Sequence, residues 1–199
     1  MAYKIIQASY PGTGSTVLVN CILGLLSPHE HLRFRKTTEE YTRFPLQTIF
    51  KTHHIVLKDW EKIMPNDSIF FALTERRDST FGDLIDKFKR RGESVRVMCG
   101  SPPSIALLPE ECHTRSNCVV FQYEELLETP EYTIEQIITT VQKKLLLVLP
   151  EVFRAPLLDN YQKAINRIYE MNAFYESIKH LKHKSYINMY GICPQHRSQ

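Results

Sequence analysis

Two stretches of this chain hold residues whose types and spacing could do chemistry. The first, Pro11 to Val17, lies between the apolar pair Ile5-Ile6 and the apolar run Val17 to Leu26. Read as strand, Gly-rich turn and helix, it builds a cradle for an anion. Glycines let the backbone come close to a phosphate, and the free N–H groups of the turn point into the cradle. The helix dipole sets about half a unit of positive charge behind them. Gly12, Gly14 and Val17 would line the cradle, while Thr13, Ser15 and Thr16 add hydroxyl donors. The second stretch is Lys51-Thr52-His53. At the end of an extended strand, Lys51 and His53 project to the same side. One can neutralise a leaving phosphate while the other takes a proton from an acceptor near neutral pH. His54, next in the chain, alternates to the opposite face.

The elements that must position these groups follow from apolar runs and their punctuation. Tyr3 to Ser9 reads as a strand and Thr16 to Leu26 as a helix, ended by Ser27-Pro28. Thr48 to Thr52 is a second strand, and Val56 to Met64 has helical spacing with Val56, Leu57, Trp60 and Ile63 on one face. Ser68 to Thr74 is the clearest buried strand. It runs into Glu75-Arg76-Arg77-Asp78, after which Ser79 caps a helix to about Phe88. Glu93 to Cys99 reads as a strand, Gly100 to Ser116 as loop, and Asn117 to Gln122 as a strand. Two long helices follow, Thr133 to Leu147 and Leu157 to about Lys182, the second with Tyr161, Ile165, Ile168, Tyr169 and Phe174 as its apolar residues. His29 to Arg43 reads as loop and short helix. Alternating strands and helices predict a mostly parallel α/β sheet covered on both faces, in one domain over residues 1–199. Ligands of such sheets sit beyond the carboxyl ends of the strands, where the cradle, Lys51-His53 and Arg76-Arg77 all fall.

Composition narrows the classes. The chain has 199 residues, 43% hydrophobic and 24% charged, which excludes disordered and fibrous classes. A net charge of +3 suits a small anion and is far from the basic stripe of a nucleic-acid binder. Five cysteines without a Cys-x-x-Cys pair argue against a disulfide framework and a zinc ribbon, so a reducing compartment is expected. The strand begins almost at Met1, and the Leu145 to Leu149 run is too short to span a bilayer. A soluble, cytoplasmic protein without a membrane partner is the expectation.

The cradle lacks the lysine of a Walker A loop, which must follow the second glycine. It resembles instead the cradle of sulfotransferases that use 3′-phosphoadenosine 5′-phosphosulfate (PAPS). Pro11, Gly14, Ser15, Thr16 and Leu18 fit that pattern, and Gly12 stands where the family usually has a basic residue. Lys51, Thr52 and His53 match the family's Lys-Thr-His, with His53 as its base. Arg77-Asp78 resembles the arginine element that grips the ribose 3′-phosphate. Ser79 replaces its usual proline, and Ile85 stands where a serine is usual. Tyr123-Glu124-Glu125-Leu126, followed by Thr129-Pro130, resembles the element whose aromatic residue contacts adenine. Gly191 to Arg197 is similar to the family's late basic element, which closes over the cofactor.

The resemblance implies a sulfotransferase fold and transfer of a sulfuryl group from PAPS to a hydroxyl, with a carbohydrate as one acceptor class. It leaves 3′,5′-adenosine bisphosphate (PAP) as product and requires no metal. Lys51 and His53 would be catalytic; Gly12, Thr13, Gly14, Ser15, Thr16, Val17, Arg77, Ser79, Tyr123 and Arg197 would hold the cofactor. Two other classes stay open. A nucleotide or nucleoside kinase is weakened by the missing Gly-Lys-Ser/Thr and by the lack of a carboxylate strand end for magnesium. A non-catalytic nucleotide-binding module on the same scaffold is favoured by Gly12 and Ile85. Each motif also has a plain structural reading: a connecting turn, histidines at a sheet edge, surface arginines beside Glu75, a tyrosine in the core, a polar tail.

Overall fold

The computed structural model describes residues 3–10, 13–27, 33–34, 47–53, 55–64, 68–76, 107–127, 133–178 and 190. Strands β1 (Tyr3–Ser9), β2 (Arg33–Phe34), β3 (Gln47–Thr52), β4 (Ser68–Glu75) and β5 (Cys118–Gln122) form one sheet in the order β2-β3-β1-β4-β5. Every pairing is parallel. Helices on both sides explain why β1 and β4 are buried along nearly their whole length rather than on alternate residues. From β1 the chain first crosses to the edge strand β2, steps back to β3 beside β1, then adds β4 and β5 on the other side of β1. The reversal lies beside β1, the place where open parallel sheets bind ligands.

Two cores flank the sheet. One packs Ile5, Ile49, Ala72 and Phe121 under α1 (Ser15–Leu26), α5 (Ile134–Val148), α6 (Arg154–Asp159) and α7 (Tyr161–Ile178). The other packs Ile6, Phe50, Phe71 and Leu73 against α2 (Leu57–Ile63) and α3 (Glu111–Thr114), through Trp60 and Cys112. A short helix, α4 (Tyr123–Leu127), leaves β5 directly. α5 starts on a capping box, in which Thr133 and Gln136 satisfy each other's backbone N–H groups. α7 lies so close to α1 that a Cβ on Gly24 would stand 2.4 Å from the Ala164 Cα. Glycine is required there by space.

Several expectations shift. The second long helix is two: a break at Asn160 separates α6 from α7, and the Asn160 side chain donates to the Leu25 carbonyl at the end of α1. Tyr169 is 54% exposed, while α7 turns Ile165, Ile168 and Met171 inward. Val56 precedes α2 and is exposed. The part of the expected loop after residue 106 contains α3 and buries Leu108 and Cys112. Within the expected loop at 29–43, Arg33–Phe34 is an edge strand on β3. The helix expected after Ser79 and the strand expected at 93–99 lie outside the described residues. Among the described residues, no helix is long and apolar enough to cross a membrane.

Candidate active site

Parallel register brings the functional strand ends together. Ala8 pairs with Thr52, Ser9 with Thr74 and Glu75 with Gln122, so four strands finish on one side of the sheet. The cradle, Lys51-His53, Arg76 and Tyr123 all lie at or just beyond those ends.

The cradle turns through Gly14, whose φ of 77° and ψ of 8° place it in the left-handed region that glycine adopts without strain. Gly14 is also the residue before α1. No side chain caps that helix start, and no acidic residue stands in its first turn. The positive end of the helix dipole therefore keeps its charge for an anion. Thr13 is fully buried. Its hydroxyl donates to the Tyr10 carbonyl at 2.7 Å and lies 2.6 Å from the Thr74 hydroxyl, closing the turn onto β4. Ser15 is nearly buried and the Val17 side chain packs in the core, which leaves Val17 its backbone to offer a ligand. Thr16 is half-buried at the helix start.

Lys51 reaches this turn from β3. Its Nζ donates to the Thr16 hydroxyl at 2.7 Å, and the whole side chain is buried. On the same face of β1 lies Gln7, paired with Lys51 in register; its amide bonds Ser9. His53 comes next on the Lys51 side. Its Nδ1 stands 2.7 Å from the Ser9 carbonyl oxygen. A carbonyl only accepts, so this bond holds the proton on Nδ1 and leaves the Nε2 lone pair of the neutral ring as the basic one. That is how a general base is oriented.

Across the cradle, strand alternation places Arg76. Thr74 faces the cradle helix and meets Thr13; Arg76, two residues on in extended backbone, takes the same face. Its guanidinium lies over the Tyr123 ring, 4.1 Å from the centroid. Arg76 and Tyr123 thus leave adjacent strand ends as one stacked unit.

The opposite face of the β4 end carries groups the sequence did not single out. Glu75 is 1% exposed, not a surface residue beside the arginines. It accepts from the Leu108 N–H at 3.3 Å and from the Gln122 amide, and pairs with His113 Nε2 at 3.2 Å. Partners from residues 108 to 122 make this burial tolerable, and nothing near Glu75 in the chain signals it. Asn20, one helical turn beyond Thr16, was also missed; an amide within the apolar run Val17 to Leu26 was the available signal. Gly12, His54, Arg77, Ser79, Ile85 and Arg197 lie outside the described residues. Among those described, no three His, Cys, Asp or Glu side chains converge as a metal site.

No family model matches the chain. No characterised protein matches it by sequence. Its fold is similar to that of mouse sulfotransferase SULT7A1, solved in complex with PAP, with a TM-score of 0.54 and 13% identity. The match covers 94% of this chain and 69% of the mouse chain. The architecture is a sulfotransferase-like α/β fold, with a parallel sheet flanked by helices.

Proposed function

We propose that this protein is a PAPS-dependent sulfotransferase that acts on a hydroxyl acceptor. The observation that carries the reading is the Lys51 ammonium on the Thr16 hydroxyl at 2.7 Å, with His53 oriented two residues further along the same strand end. The left-handed turn at Gly14 and the uncapped start of α1 suit a phosphate. Bound PAPS would supply the sulfuryl group. Sulfuryl transfer spreads negative charge over the migrating group and its bridging oxygen, much as phosphoryl transfer does. Lys51 stands at the cradle to meet that charge, in the role the family gives partly to the basic residue that Gly12 replaces. His53 Nε2 accepts the proton of the attacking hydroxyl. The Arg76–Tyr123 stack would border the nucleobase, and Arg77, Ser79 and Arg197 are proposed for the 3′-phosphate and the closing segment.

A nucleotide-binding module on the same scaffold is the second reading, favoured by Gly12 at the basic position. Thermal denaturation with PAP, and with ATP plus magnesium, tests the ligand. At ~100-fold excess over Kd, PAP should stabilise by roughly 2.7 kcal/mol. Stabilisation by ATP with magnesium and none by PAP would refute the proposal. PAP binding without turnover of any hydroxyl acceptor would select the binding module.

A further inference from the structure

Asn20 lies in the middle of α1 with no exposure to solvent, within the apolar run Val17 to Leu26. A buried amide there is costly unless it is bonded. Its Nδ2 donates to the Thr16 carbonyl and to the Tyr190 carbonyl, both at 2.8 Å, with the Met171 sulfur 3.3 Å away. Its Oδ1 accepts from Arg167 Nε at 2.9 Å. One side chain therefore joins the cradle turn, α7 and a residue 170 positions away.

Tyr190 packs against α7 at that point. It is 7% exposed, with its ring 5.6 Å from Phe174 and 5.4 Å from the Arg167 guanidinium. Its hydroxyl donates to Glu170 at 3.3 Å. Burial lowers the Arg167 pKa from its ordinary value, against the pull of Tyr190 and Glu170. The same first turn of α1 carries the Thr16 hydroxyl that receives Lys51.

We infer that Asn20 is a positioning residue that couples occupancy of the cradle to α7 and the Tyr190 anchor. The inference rests on the proposed PAP site. By bonding the Thr16 carbonyl, Asn20 fixes the turn on which the Thr16 hydroxyl and the neighbouring N–H groups are mounted. By bonding Tyr190 and Arg167, it makes that geometry depend on α7. Coupling of this kind is reciprocal: a ligand that steadies the cradle must steady α7, and loosening α7 must weaken the ligand.

The discriminating variant is Asn20→Asp, which keeps an oxygen for Arg167 and loses both donors. Asn20→Leu removes the bonds to Thr16, Tyr190 and Arg167 together with the amide–sulfur contact to Met171, and Tyr190→Phe keeps the Tyr190 carbonyl. PAP affinity is measured by calorimetry, and hydrogen exchange is followed with and without PAP. In the wild type, PAP should slow exchange in peptides from both α1 and α7. Asn20→Asp and Asn20→Leu should bind PAP about tenfold more weakly and lose the α7 response, within the usual range of coupling. Tyr190→Phe should bind as the wild type does. An Asn20→Asp protein with wild-type affinity and α7 response overturns the inference, because pairing with Arg167 would then be the whole role. So does a wild type in which PAP protects α1 alone; the PAP site stands in both cases. A wild type that does not bind PAP refutes the proposed function, and the inference falls with it.

Discussion

The Lys51 ammonium reaches across the sheet to the Thr16 hydroxyl at 2.7 Å, joining the end of β3 to the first turn of α1. A lysine from one strand thus occupies a cradle built by another. Lys51→Met keeps most of the volume and removes the charge. Losing a charged contact of this kind costs about 1.5–3 kcal/mol. Affinity for a PAPS analogue should fall roughly 10- to 150-fold, and turnover should fall with it. Unchanged donor affinity would show that the ammonium only braces the turn. The check is a competition titration beside a PAP-release assay.

Arg76 and Arg77 should separate by ligand. Arg76 lies on the cradle face and stacks on Tyr123, so in the proposed site it acts through a surface that any adenine nucleotide would meet. Arg76→Ala should weaken PAP and adenosine 5′-phosphosulfate alike, by about 1–2 kcal/mol. Arg77→Ala should weaken PAP selectively, since adenosine 5′-phosphosulfate has no 3′-phosphate. Calorimetry with both ligands decides it. A selective loss of PAP in Arg76→Ala would exchange the two roles.

Four strands of the sheet were legible because each is a short run stopped by turn residues, and β1 matches its expected bounds, Tyr3–Ser9; β2, only two residues long, carries no such signal. The pairing of Lys51 with His53 was legible for a similar reason, since alternation alone puts both on one side. What could not be read depends on contacts far apart in sequence. The apolar period runs through Asn160, yet the helix breaks there while the Asn160 side chain serves the last turn of α1. Glu75 resembles its charged neighbours until Leu108, Gln122 and His113 close over it. Asn20 interrupts an apolar run, and only Arg167 and Tyr190 explain why.

Gly24→Ala should destabilise although alanine favours helices. The added Cβ would meet the Ala164 Cα at 2.4 Å and its Cβ at 2.9 Å, so α1 and α7 must part. Overpacking outweighs the helix-propensity gain, for a net loss of about 2 kcal/mol. The melting temperature should fall by roughly 4–8 °C for a chain of this size. An unchanged melting temperature would mean that the interface yields freely.

Burial pushes the Cys21 thiol up to about 12, with a backbone hydrogen bond opposing. The folded pKa therefore lies above the unfolded one, so the native state holds its proton longer. The resulting stability is complete below about pH 9 and is lost as pH rises toward 12. Each pH unit in that window costs about 1.4 kcal/mol. Urea unfolding at pH 8 and pH 10.5 should show a steeper decline for the wild type than for Cys21→Ala, by about 2 kcal/mol. Parallel declines would remove Cys21 from the alkaline limb.

His53 is the residue on which the mechanism turns. Its Nδ1 proton is committed to the Ser9 carbonyl at 2.7 Å, which in the proposed mechanism presents Nε2 as the base. His53→Ala should leave PAP affinity nearly intact, because the base serves the acceptor and not the nucleotide. Turnover should fall about 10²–10⁴-fold, the usual range for loss of general-base assistance. His53→Asn separates the two ring nitrogens: an amide can restore the bond to Ser9 but supplies no comparable base. It should therefore hold the strand end as the wild type does and remain as inactive as His53→Ala. His54→Ala is the companion control, expected to retain turnover. Recovery of activity in His53→Asn would reduce His53 to a brace for Ser9, and loss of activity in His54→Ala alone would move the base one residue along the chain.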